Sequence, residues 1–509
     1  MMRVEDLQSR DALLQAAKLL EQQVLQLQQI NARLRARIAE LEGASNPEQL
    51  ELQYLQEQIQ QLNRELYQAS SERRRLEEKT AKAEPEAKKP QKGHGPTKQP
   101  LLPTVDVIHE LPEDDRTCPK CGGTLKPIPN GDVITEEIHV VEVSYRVHKH
   151  HRIKYACECE DTVKLAPLPK RLIPGGRYSN DFAVHVAIKK YDDHMPLQRL
   201  ASSMKREGLQ VTSQTLWNQI DALAEVLEPT YHALCFKVCE SPVVHADETR
   251  WRLMGNGNGT SRWWVWSVVS DRISTYRIVD SRSSKVAQEL LGEYEGTVVV
   301  DGYSAYQSLG GEGPRERGPT KAFCWAHVRR KFIHAESMEP ELAGRFLDLI
   351  GTLYTIEKSL PRVTEGMSPS EREAVLAERL ETRGKRSRLI VDEIIRLARE
   401  NKPSIPQRSA MGKALAYLLK LEPGLRVFLD NPRVPLDNNH AERALRSVVV
   451  GRKNHYGSRS RRGTQVAALF YTLVETAKLS GLDPATYIRT AMERALENPG
   501  TITLPEDIP

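Results

Sequence analysis

Residues 241–251 read SPVVHADETRW and residues 296–306 read GTVVVDGYSAY. Each is a short apolar run, rich in β-branched residues, that ends on an acid: Asp247 in the first and Asp301 in the second. Runs of this length and composition form buried strands. Between them, GNGNG at 255–259 is a turn, RWWVWSVVS (262–270) and STYRIVDSR (274–282) read as further strands, and residues 284–291 read as a helix. KAFCWAHVRRKF (321–332) then gives a strand running into a helix. Three strands, a helix, a strand and a strand–helix unit make an α/β core.

Two carboxylates at the ends of neighbouring buried strands are costly unless a cation compensates them. A pair of divalent ions does so and, at roughly 3.5–4 Å separation, clamps the attacking and leaving oxygens of a phosphodiester. Oxygen-only ligands favour Mg²⁺ or Mn²⁺. Residues 436–463, LDNNHAERALRSVVVGRKNHYGSRSRRG, offer a third acid, Glu442, at the start of a helix carrying Ala444, Leu445 and Val448 at apolar spacing. Around it stand Arg443, Arg446, Arg452, Lys453, Arg459, Arg461 and Arg462, cations able to lie against a phosphate backbone. The plain alternatives are strand-end turn residues for Asp247 and Asp301, and a variant capping box over 439–442 for Glu442.

The rest of the chain points the same way. Its 509 residues exceed what one core holds, and a net charge of +5, from 73 Lys+Arg against 68 Asp+Glu, leaves local clusters to decide the partners. Leu13, Leu20, Leu27, Leu34 and Leu41 recur every seven residues, with Ala17, Val24, Asn31 and Ile38 at the companion position. That is the pattern of a parallel two-stranded coiled coil, or else of a long helix packed on its own chain. The stretch 79–100 is rich in Lys and Pro and lacks large apolar residues, which makes it a tether.

CPKCGG at 118–123 and the pair Cys157 and Cys159 flank an alternating, strand-like stretch. Four thiolates on two knuckles fit one structural Zn²⁺, the histidines of VHKHH (147–151) being either ligands or a solvated face. Residues 197–221 give a helix, a turn at Gly208 and a second helix capped by Thr212 or Ser213. This suits a helix-turn-helix offering Ser213, Gln214, Asn218 and Gln219 to base edges, or equally any small three-helix domain. The first residues, MMRVEDLQSR, carry acids and no apolar segment, and no run of roughly 18 apolar residues occurs, so a cytoplasmic protein is expected.

HADETRW, DGYSAY, CWAHVRRKF, DNNHAERALR and GRKNHYGS, in this order, resemble the transposases of the IS66 family of bacterial insertion sequences. The likeness runs over nearly the whole chain. It implies a DDE transposase with a ribonuclease H-like core, in which Asp247, Asp301 and Glu442 are the metal-binding triad, two Mg²⁺ or Mn²⁺ per site. The long gap from Asp301 to Glu442 implies a mostly helical insertion. Cys324-x-x-His327 resembles a motif that positions DNA near the cleavage site in related enzymes, with Arg329, Arg330 and Lys331 beside it; the alternatives are half a zinc site, or a buried Cys with a helix-capping His. The Cys157-x-Cys159 pair departs from the more usual C-x-x-C.

The layout expected is a coiled-coil region (1–80), a linker (81–103), a zinc-binding β module (104–170), a helix-turn-helix-like domain (171–238), the catalytic core in two parts (239–335 and 436–480) around a helical insertion (336–435), and a helical tail (481–509). Expected partners are the terminal inverted repeats, target DNA and a second copy of the chain, with accessory proteins encoded in the same element as a further candidate and no membrane. The competing readings are a non-catalytic DNA-binding regulator that kept the reader modules, and a scaffolding protein built on the long helices.

Overall fold

Residues 145–148, 154–156, 163–165, 170–254, 260–309, 318–364 and 366–508 are described by a computed structural model, and all fall in one compact unit. The coiled coil, the linker and Cys118, Cys121, Cys157 and Cys159 lie outside these residues. Strands β1 (Lys154–Ala156) and β2 (Val163–Leu165) pair antiparallel, Lys154 opposite Leu165.

Three helices follow: α1 (Asn180–Tyr191), α2 (Leu197–Arg206) and α3 (Ser213–Lys237). The Thr212 side chain accepts from the Thr215 amide and caps α3, and Gly208 makes the preceding turn with φ of 88°, a left-handed value glycine adopts without penalty. α3 runs for 25 residues because its apolar stripe (Leu216, Ile220, Leu223, Leu227 and Leu234) continues into the core. Gln219 is on that buried side, only 6% exposed, so it cannot offer itself to a base edge from this position.

The sheet holds β3 (Val243–Met254), β4 (Thr260–Val269), β5 (Ser274–Val279), β6 (Thr297–Val300) and β7 (Thr320–Phe323) in the order β5-β4-β3-β6-β7. The first three form an antiparallel meander; β6 and β7 join parallel to β3. Helix α4 (Ser284–Leu291) makes the crossover from β5 to β6. One expectation is corrected here. β3 does not end on Asp247 but runs to Met254, paired with β4 throughout, while its partnership with β6 stops at His245 opposite Val299. The apolar run ends where β3 loses one neighbour, not where the strand ends.

After β7 come α5 (Trp325–Ala335), then α6 (Pro340–Ser359), α7 (Pro369–Thr382), α8 (Arg388–Asn401) and α9 (Ala410–Asp430), with no strand among the described residues between α5 and the helix that bears Glu442. These helices have their own core, with Phe332 stacked on Phe346 at 4.2 Å. The chain then returns to the sheet as α10 (Asn439–His455), α11 (Arg461–Leu479) and α12 (Pro484–Glu497). α11 covers the outer edge of β5: Thr472 and Thr476 hydroxyls accept the Tyr276 and Ser274 amides, so the edge strand has no exposed donors there. Among the described residues no helix is long and apolar enough to cross a membrane.

Candidate active site

Asp247 and Asp301 each lie two residues beyond the last paired couple of β3 and β6, His245 and Val299. Two parallel strands that stop bonding in step leave a cleft at their diverging ends, the place where α/β sheets bind ligands. The Asp247 carboxylate accepts the Glu248 amide at 2.8 Å, and that of Asp301 accepts the Tyr303 amide at 2.9 Å. Burial, then the negative charge of Glu248, pushes the Asp247 carboxyl up to about 7; Asp301 and Glu442 add to the rise. Acids from two segments far away in sequence are thus felt at Asp247.

Asn438 brings the third acid there. Its side chain is fully buried. Its Oδ1 faces the His245 Nδ1 at 3.0 Å, its Nδ2 donates to the Ala246 carbonyl at 2.8 Å, and its amide donates to the Cys324 sulfur at 3.2 Å. The Trp325 amide donates to the Leu436 carbonyl at 2.8 Å, and the Tyr276 hydroxyl donates to the Ala444 carbonyl at 2.8 Å. These bonds pin the first turn of α10 across β3 beside Asp247. The capping-box alternative for Glu442 does not hold, since α10 has no side-chain cap. The Glu442 carboxylate instead accepts the Arg330 Nη2 at 3.0 and 3.2 Å, with His327 Nε2 at 3.7 Å. Burial first, then the Arg330 guanidinium, holds His327 below the usual histidine range against the pull of Asp301 and Glu442.

Cys324, expected at the DNA, is 1% exposed and its thiol is pushed up to about 11 by burial. Its sulfur is a buried acceptor joining the start of α5 to the approach of α10, and the DNA-contact expectation for it is corrected accordingly. Trp325 beside it is core.

The basic residues divide by geometry. Lys331, Arg443, Arg446, Lys453, Arg459 and Arg461 are exposed, and Arg329 and Arg330 half-buried. Arg452 turns inward, donating to the Thr249 hydroxyl at 3.2 Å and to the Arg250 carbonyl. Arg462 is bound to Asp221 of α3 at 2.7 Å, and the Arg461 guanidinium lies 5.8 Å from the Trp263 ring centroid. On the first turns of α3, Ser213 is half-buried while Gln214 and Asn218 are exposed and bonded to each other at 2.8 Å.

The donor set fits a hard divalent cation in chemistry: three carboxylates, oxygen donors only, one of them held protonated up to about 7 for want of a compensating charge. In distance it is looser. Among the described residues no three His, Cys, Asp or Glu side chains stand close enough to share one ion, and Glu442 is turned to Arg330.

Comparison with known proteins places the chain in a family. Residues 175–466 match the family model described as "Transposase IS66 family", and residues 115–160, which include Cys118, Cys121, Cys157 and Cys159, match the "zinc-finger binding domain of transposase IS66". Among relatives, "Uncharacterized protein y4jD" of Sinorhizobium fredii is 32% identical over 416 residues, 79% of this chain and 78% of its own. "Uncharacterized protein y4hP" of the same organism is 26% identical over 429 residues, covering 80% and 75%. A family model spanning the sheet, the helices after it and all three acids, together with that first relative, makes this chain a member of the IS66 transposase family.

Proposed function

We propose that this transposase binds the terminal inverted repeats of its element, cuts phosphodiesters there, and joins the freed 3′-hydroxyl ends to target DNA. Asp247, Asp301 and Glu442 are the ligands of the catalytic ions in a ribonuclease H-like core, two Mg²⁺ or Mn²⁺ per site. The observation that carries this reading is geometric: Asp247 and Asp301 both stand two residues past the last paired couple of β3 and β6, and Asn438 pins the turn that bears Glu442 across β3 beside them. The strand order, an antiparallel meander extended by two parallel strands, supports the core assignment.

When bound, the ions supply an activated water or 3′-hydroxyl and a stabilised leaving oxygen. The chain supplies the rest. The Asn438 bonds hold the Glu442 turn against β3, Arg330 pairs with the Glu442 carboxylate that would hold an ion, and His327, kept below the usual histidine range by burial, stands beside Glu442. Arg443, Arg446, Lys453 and Arg459 bind backbone phosphates and fix register rather than sequence. Gln214 and Asn218 at the start of α3 read base edges in a helix-turn-helix formed with α2. Arg452 and Arg462, engaged within the protein, set the shape of this surface.

End-labelled element-end DNA incubated with the full chain and Mg²⁺ should be nicked by wild type and not by Asp301→Ala. Equal nicking by both, or none by either, overturns the catalytic reading. We further assign the zinc to Cys118, Cys121, Cys157 and Cys159, and the pairing of two protomers to the heptads of 1–80. Metal analysis of purified protein should find about one zinc per chain, falling towards zero in Cys118→Ser/Cys121→Ser; a folded protein without zinc rejects the assignment.

A further inference from the structure

We propose that Glu248 is the positioning residue that fixes Asp301 relative to Asp247, an inference that rests on the carboxylate site proposed above. The need for such a residue follows from the sheet. Ladder hydrogen bonds between β3 and β6 stop at His245 and Val299, so nothing in the ladder sets the separation of the two acids beyond. Glu248 bridges that gap. Its amide donates to the Asp247 carboxylate at 2.8 Å. Its side chain points to the opposite face of β3, as successive strand residues do, and is 1% exposed.

There one carboxylate oxygen accepts Arg282 Nε at 2.8 Å and Nη2 at 2.5 Å, and the other accepts the Tyr306 hydroxyl at 2.6 Å. Tyr306 belongs to the turn Ser304–Ser308 that follows Asp301, and its ring meets Trp266, the cross-strand partner of Glu248, edge-on at 5.7 Å. Arg282 lies between two rings, 3.7 Å from the Tyr303 centroid and 4.6 Å from that of Trp264, and its carbonyl accepts the Tyr303 hydroxyl at 3.0 Å. Tyr303 closes the circuit, because its amide is the donor to Asp301.

The Asp301 segment is therefore tied to the Asp247 segment through the buried Glu248 carboxylate. Apolar residues replacing Glu248 together with its partner Arg282 could fill the same space without taking charges out of water, and such replacements of whole buried ion pairs are often neutral or stabilising. Stability alone does not call for a carboxylate at this place; the spacing of two metal-holding acids does. Outer-shell partners of metal ligands typically contribute 10–100-fold to affinity or activity.

The test titrates Mn²⁺ into the zinc-loaded full chain, following free Mn²⁺ by electron paramagnetic resonance, for wild type, Asp301→Asn, Glu248→Gln and Tyr306→Phe. If wild type and Asp301→Asn bind alike, the proposed catalytic site fails, and this inference with it. If Asp301→Asn alone loses binding while Glu248→Gln and Tyr306→Phe bind Mn²⁺ as wild type does, only the role of Glu248 is overturned. The expected result is that both variants bind Mn²⁺ roughly 10–100-fold more weakly, retain DNA affinity and regain cleavage as Mn²⁺ is raised, with Tyr306→Phe melting within a few degrees of wild type. Should Glu248→Gln not fold, Tyr306→Phe decides, since it removes one hydrogen bond and keeps the ring. A loss of cleavage that no Mn²⁺ concentration restores, with unchanged Mn²⁺ affinity, also overturns the inference.

Discussion

Glu442→Gln should lower Mg²⁺-dependent cleavage of element-end DNA by at least about three orders of magnitude while leaving DNA binding and folding close to wild type. A catalytic ion stabilises transition-state charge by several kcal/mol, and each 1.36 kcal/mol is tenfold in rate, so losing the carboxylate that holds it forfeits about a thousandfold or more. Folding is spared because of what Glu442 touches. Its main partner, Arg330, is 42% exposed, and ion pairs open to solvent contribute about 1 kcal/mol or less. The turn itself is held by Asn438, not by Glu442. Gel-shift affinity and thermal melting measured beside single-turnover cleavage separate the two effects. A variant that cuts at a tenth of the wild-type rate or better removes Glu442 from the ion site.

The sheet could be read from residues 241–332 because most strands there are apolar runs rich in β-branched or aromatic residues, and a strand or helix is found at each expected place, β3 running longer than expected. The extension of β3 past Asp247 was not legible. Thr249, Arg250 and Arg252 break the apolar run, and the strand persists only because β4 pairs with it as far as Met254. Such pairing is tertiary and leaves no local trace.

The acids were legible as candidates, since charge at the end of an apolar run is conspicuous. Their supports were not. Asn438 looks like an ordinary helix cap in DNNHAER, yet it caps nothing and instead ties β3 to the start of α5. Glu248, next to Asp247, reads as the outward residue of an alternating strand; its burial depends on Arg282 and Tyr306, which arrive from elsewhere in the chain. Cys324 is the opposite case, where the buried alternative holds. A C-x-x-H spacing looks like chemistry, whereas the cysteine is a packed core residue whose sulfur accepts one amide. Among the basic residues, charge alone could not tell Arg462, spoken for by Asp221, from Arg459 in solvent.

Asp247→Asn should make the metal-free protein more stable than wild type at pH 8, and by progressively less as the pH falls. In the folded chain the Asp247 carboxyl titrates near 7 against an ordinary 3.8, so the folded state binds this proton more tightly than the unfolded one. The resulting stability is fully present below about pH 4 and is lost as pH rises through 7. At about 1.4 kcal/mol per unit, wild type carries a penalty on the order of a few kcal/mol at pH 8 that the asparagine avoids. Melting temperatures of the two proteins, measured from pH 5 to pH 8 without divalent ions, should therefore diverge upward; parallel curves would show that Asp247 ionises in the ordinary range. Adding Mg²⁺ at pH 8 should raise the wild-type melting temperature and leave Asp247→Asn nearly unmoved, since a ligand stabilises only the state that binds it. Burial and three neighbouring acids make the charged Asp247 unfavourable in the metal-free protein, and a cation bound as proposed would relieve the charge that folding alone leaves uncompensated.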